Sequence, residues 1–168
     1  MKLSYVHSME ALDSFLLFVQ PKHFKVHVHS QKAYTHAILL TEKLVEEQRE
    51  FDAVISLEVI EHVADPAEFC KSLAALTVSN GATVVSTINR SMRSYATAIL
   101  IYAIMQLPKG THQWSNFLTP EELVLILQRA SITVQEMAGF VYNPLTGQWT
   151  LSDDISVNFI AFGTKNSQ

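Results

Sequence analysis

Six consecutive residues, Leu57-Glu58-Val59-Ile60-Glu61-His62, gather two carboxylates and an imidazole. If the segment turns helically, Glu58, Glu61 and His62 fall at i, i+3 and i+4 and share one face. Such a set suits a hard or borderline divalent cation such as Mg2+ or Mn2+. The same residues also read as a solvated turn with an ordinary loop histidine, because metal motifs this short match by chance often. Lys109-Gly110-Thr111-His112-Gln113-Trp114 is a second candidate. It reads equally as a loop lining a substrate pocket and as a surface turn with Trp114 tucked into the core. His23, His27, His29 and His36 form a looser group that no cysteine supports as a zinc site. Its bland reading is an exposed strand face. Cys70, the sole cysteine, has no base beside it and reads as buried filler.

Stepping along the chain shows what must hold these residues. Ala53-Val54-Ile55 is a short continuous apolar run, as a buried parallel strand requires, and the carboxylates follow directly on it. In open α/β sheets ligands bind beyond the carboxyl ends of the strands. Asp65-Pro66-Ala67-Glu68 then predicts a helix start, with Asp65 as cap and Glu68 completing a capping box. Asn80-Gly81 turns the chain into the β-branched run Ala82–Ile88. Thr119-Pro120-Glu121-Glu122 repeats the helix-start signature. Strands are predicted near Asp52–Ser56, Ala82–Ile88, Thr133–Val141 and Ser156–Gly163, with helices from Pro66 and Pro120. Earlier in the chain, Leu12, Phe15, Leu16 and Val19 fit a helical face stopped at Pro21, and Phe24, Val26 and Val28 alternate as a strand. Ala37 to Gln48 reads as helix or loop. The run Ala96–Leu107 predicts an apolar helix too short to span a bilayer, bordering a substrate region or resting on a membrane surface.

The chain has 168 residues, 48% of them hydrophobic and only 17% charged, which excludes disorder as its main state. A net charge of −4 argues against a strongly cationic nucleic-acid binder. A single cysteine forms no internal disulfide. The first arginine is Arg49, and no presequence or other targeting signal is legible. All five glycines lie at Gly81 or later.

From FDAVISLEVIEHVADPAEF onward the sequence resembles the class I S-adenosylmethionine-dependent methyltransferases, and more narrowly the ubiquinone-biosynthesis O-methyltransferases. NGATVVSTINR, LPKGTHQW, FLTPEEL, GFVYNPLTG and DDISVNFIAFGTK continue the resemblance in order, from about Glu42 to Lys165. It implies O-methylation of a polyprenylated catechol (a polyprenyldihydroxybenzoate or demethylubiquinol) with S-adenosylmethionine and Mg2+ as cofactors. It implies that Leu57 contacts the methyl donor and that Glu58, Glu61 and His62 are metal ligands, or instead that His62 or His112 serves as general base. It further implies a quinone-biosynthesis complex as partner and a peripheral place on the matrix side of the mitochondrial inner membrane. The fold expected is α/β: the C-terminal part of a class I, Rossmann-like sheet, mostly parallel with an antiparallel terminal edge pair. The family's first strands, its glycine-rich loop and the acidic residue that binds the donor's ribose have no counterpart before Gly81. Residues 1–40 read as a non-family segment and 41–168 as a partial methyltransferase domain. The chain reads as truncated or alternatively spliced, either an enzyme of this family or a non-catalytic binding or scaffold subunit of a quinone-synthesis complex.

Overall fold

Asp65 and Thr119 begin the two helices that seal the core. Asp65 Oδ1 accepts from the backbone N–H of Ala67 and Glu68 at 2.9 and 3.1 Å, and Pro66 opens the first turn. Glu68 turns away from the expected capping box and pairs with Lys71. Thr119 makes the full box: its Oγ1 accepts from Glu122 N at 3.3 Å while Glu122 Oε2 accepts from Thr119 N at 2.9 Å. Satisfying these orphan N–H groups is worth about 1 kcal/mol per cap.

The computed structural model describes residues 15–20, 23–28, 33–95, 116–143 and 148–167. In chain order these form β1 (Phe15–Gln20), β2 (His23–Val28), α1 (Ala33–Glu46), β3 (Phe51–Leu57), a 3-10 turn (Ile60–His62), α2 (Pro66–Ala75), β4 (Thr77–Ile88), α3 (Pro120–Arg129), β5 (Ile132–Asn143), β6 (Gln148–Ser152) and β7 (Asn158–Lys165). The Ala96–Leu107 run, His29 and the segment carrying His112 lie outside the described residues.

All seven strands join one sheet in the order β2-β1-β3-β4-β7-β5-β6. Of its neighbouring pairs only β3–β4 is parallel, which corrects the expectation of a mostly parallel sheet. The βαβ unit is present where strand, helix and strand alternate, at β3-α2-β4. Elsewhere β5 does run in the direction of β3 and β4, but β7 inserts antiparallel between β4 and β5. The expected edge pair is thus inside the sheet, and the edge is taken by β6, a strand for which the sequence reading has no element. Phe15–Val19, expected on a helix, is strand β1. A continuous apolar run fits either period, and here pairing on both sides decides.

Val54, Val85, Phe159, Ala161 and Ile132 line one face of the sheet, and α2 and α3 cover it with Phe69, Leu73, Leu123 and Leu127. Leu44 and Val45 of α1 pack against the same core. Burial of these side chains, at about 1.5–3 kcal/mol each, fixes the sheet so that β3 and β4 end side by side. Their carboxyl ends, Leu57 beside Ser86, form the floor of the site.

Candidate functional site

Beyond Leu57 the chain cannot continue as strand. Glu58 has φ 53°, the left-handed region that a residue with a Cβ occupies at a cost of order 1–3 kcal/mol. Its N–H is held by Ser86, donating to both the carbonyl O and Oγ at 3.2 Å. This twist aims the chain into the 3-10 turn, where His62 N donates to Val59 O at 2.9 Å.

The turn brings Glu58 and Glu61 together. Ser86 Oγ donates to Glu58 Oε1 at 2.7 Å, and Thr87 Oγ1 donates to Glu61 Oε2 at 3.2 Å. The Glu58 carboxylate is close enough for its charge to act on Glu61. Glu61 is 2% exposed, and its Oε1 has no hydrogen-bond partner. Ser56 Oγ, fully buried one residue before the end of β3, has none either. His62 is half-buried and is not brought into the pair. No three His, Cys, Asp or Glu side chains are gathered closely enough to hold one metal ion among the described residues. The helical spacing that would group all three does not apply here, because Glu58 is left-handed and lies before the 3-10 turn that carries Glu61 and His62.

Burial pushes both carboxyls above their ordinary value of 4.5. Glu61 is raised well above it, with the neighbouring Glu58 charge adding to the effect, while Ser86 partly offsets the rise at Glu58. The folded chain therefore holds the Glu61 proton more tightly than the unfolded one. Its contribution to stability is full below about pH 4.5 and is lost as pH rises through the raised value. Glu61→Gln removes the buried titrating carboxyl and the neighbouring charge pair. It is expected to raise stability at pH 7 by about 1–3 kcal/mol and to flatten the decline between pH 4.5 and 7. Urea midpoints measured across that range test this, and an unchanged slope would contradict it.

Ser56, Ser86 and Thr87 were not singled out from the sequence. The available signal was small hydroxyl residues closing two otherwise apolar strand runs, Ala53-Val54-Ile55-Ser56 and Val84-Val85-Ser86-Thr87. Past β4 the chain is clamped to the connection before β7. Asn89 Nδ2 donates to Ile155 O at 2.8 Å, Asn89 N donates to Val157 O at 2.9 Å, and Arg93 pairs with Asp154 at 2.7 Å. Arg90 pairs with Glu122 of α3. Cys70 is fully buried on α2, its thiol pushed up to about 12 by burial, and takes no part.

A family described as "Methyltransferase domain" matches residues 4–136. The chain belongs to this methyltransferase-domain family. It is 71% identical over 126 residues to the mitochondrial ubiquinone biosynthesis O-methyltransferase of Arabidopsis thaliana, a match covering 74% of this chain and 39% of that protein. It is 42% identical over 128 residues to the ubiquinone biosynthesis O-methyltransferase of Ruegeria sp., covering 74% of this chain and 52% of the other. The chain thus spans from about two-fifths to half the length of these relatives. Among solved structures it is similar in fold to a SAM-dependent methyltransferase of Thermotoga maritima, with TM-score 0.51, 16% identity, and 71% of this chain covering 58% of that one. Leu57 and the carboxylate pair stand at the carboxyl ends of the parallel neighbours β3 and β4.

Proposed function

We propose that this chain carries the acceptor-binding part of an S-adenosylmethionine-dependent O-methyltransferase of ubiquinone biosynthesis, acting on the phenolic oxygen of a polyprenylated catechol. The observation that carries the reading is the 71% identity to the Arabidopsis ubiquinone biosynthesis O-methyltransferase over 126 residues that include the carboxylate pair. On this reading the chain works at the matrix side of the mitochondrial inner membrane, in contact with other proteins of quinone synthesis.

The donor set supports Mg2+. Two carboxylates backed by hydroxyls are hard oxygen ligands, and the partnerless Glu61 Oε1 is an atom that a cation would satisfy. Glu58 and Glu61 would hold the ion, with His62 as the third ligand in the reading from resemblance. When bound, Mg2+ supplies positive charge that favours phenolate over phenol and aligns adjacent oxygens. Leu57 offers an apolar contact beside the pair, and His112 takes the phenolic proton, or His62 where it does not ligate the ion. The residues present do not fit a complete site for the methyl donor. No glycine precedes Gly81 to let backbone approach it.

That misfit favours a second reading, a non-catalytic binding subunit of a quinone-synthesis complex. Both readings require catechol binding that depends on Mg2+. Calorimetry with a short-tailed dihydroxybenzoate, with and without Mg2+, is expected to show binding only with the metal and at least tenfold weaker binding for Glu61→Ala. Binding indifferent to Mg2+ and to Glu61 would rule the reading out. Labelled methyl transfer at millimolar S-adenosylmethionine separates the two readings: transfer marks the enzyme, and catechol binding without transfer marks the subunit.

A further inference from the structure

Ser86 touches Glu58 in three ways. Its Oγ donates to Glu58 Oε1 at 2.7 Å, and the same Oγ and the Ser86 carbonyl both accept from the Glu58 N–H at 3.2 Å. One residue of β4 therefore fixes both the left-handed backbone of Glu58 and the direction of its carboxylate. The next residue does the same for the other acid, Thr87 Oγ1 reaching Glu61 Oε2 at 3.2 Å. Successive strand residues face opposite sides of a sheet, so the two carboxylates are gripped from the two faces and meet over the strand end. Ser86 is 2% exposed and Thr87 fully buried, which leaves these hydroxyls no solvent to bond instead.

We propose that Ser86 and Thr87 are positioning residues that hold Glu58 and Glu61 in the arrangement that binds a divalent cation. This rests on the cation reading given above and deepens it. Groups that orient a metal ligand from behind reduce its freedom before the ion arrives, and their loss typically weakens metal binding 10–100-fold. Buried hydroxyls elsewhere on β4 have a different job. Thr83 Oγ1, also 2% exposed, bonds Thr77 Oγ1 at 3.2 Å and touches neither acid.

The test is Mg2+ titration by calorimetry, with Mn2+ titration by electron paramagnetic resonance as a second probe, on the 168-residue chain. Thr87→Val removes the hydroxyl at constant shape and is expected to weaken cation binding roughly tenfold or more. Thr87→Ser, which keeps the hydroxyl, is expected to restore it. Ser86→Ala is expected to fall in the same direction and by at least as much. Thr83→Val is expected to lower the melting temperature while cation affinity stays at the wild-type value. If Glu61→Ala abolishes binding but Thr87→Val and Ser86→Ala bind as wild type, the positioning role is overturned and the cation reading stands. Equal weakening by Thr83→Val would also overturn it, since the effect would then be general destabilisation. If the wild-type chain takes up no cation, or Glu61→Ala changes nothing, the cation reading fails and this proposal fails with it.

Discussion

Purified as 168 residues, the chain is expected to bind S-adenosylmethionine about a thousandfold more weakly than a methyltransferase with a glycine-rich loop. The donor's carboxypropyl and ribose groups need backbone brought close at a tight turn, which glycine permits because it has no Cβ. They also need an acidic acceptor for the ribose hydroxyls. No glycine occurs before Gly81. The direction of β1 adds a second reason. Phe15 pairs with Leu57 and Val19 with Ala53, so β1 runs from the site end of the sheet toward its far end. The end of β1 at Gln20 is therefore away from Glu58, whereas a parallel strand would have ended beside it. Losing two or three hydrogen bonds to charged or buried polar groups, at about 1.5–3 kcal/mol each, gives a factor on the order of a thousand or more. Isothermal titration is expected to show no saturation at micromolar donor. Micromolar affinity together with methyl transfer to a catechol would mean that residues before Phe51 build a donor site by another route.

What the sequence made legible follows from how local its determinants are. Asp65-Pro66 and Thr119-Pro120 each carry cap, first-turn proline and acid within four residues, and both helices start where these stand. The strands β3 and β4 were legible from their apolar and β-branched runs. Pairing direction was not, because it depends on where β7 inserts, and that is decided by packing Phe159 and Ala161 against α2 and α3 rather than by neighbours in the chain. At the site the helical spacing did not describe the backbone, since Glu58 is left-handed and lies before the 3-10 turn. The hydroxyls that complete the pair come from β4, 28 and 26 residues away in sequence. No local pattern around Glu58 contains them. The family resemblance supplied the chemistry of the acids but not these partners.

Gly139→Ala is expected to cost about 3 kcal/mol or more and to weaken cation binding at a distance. A Cβ on Gly139 would lie 2.0 Å from the carbonyl oxygen of Asp154 and 2.8 Å from its carbon. Those are backbone atoms, so no side-chain rotation relieves the clash, and overpacking of this kind costs about 1–3 kcal/mol by itself. The displaced segment is the connection that clamps the end of β4. It accepts from Asn89 through Ile155 O and Val157 O and from Ser91 through Ser156 O, and it holds Arg93 through Asp154. Each bond lost there adds about 1 kcal/mol. For a chain of this size the total corresponds to a fall in melting temperature of roughly 10 °C. Asn89 lies two residues past Thr87, so loosening the clamp frees the strand end whose hydroxyls hold Glu58 and Glu61. Leu127→Ala is the comparison: it removes a core side chain of α3 that is 1% exposed, at a cost of about 2–5 kcal/mol, without touching the clamp. Melting curves and Mg2+ titrations on both variants are expected to show two falls in melting temperature but loss of cation affinity only for Gly139→Ala. If Gly139→Ala melts within 2 °C of wild type, the close approach to Asp154 does not constrain the fold. If both variants lose affinity alike, the clamp has no particular hold on the carboxylate pair.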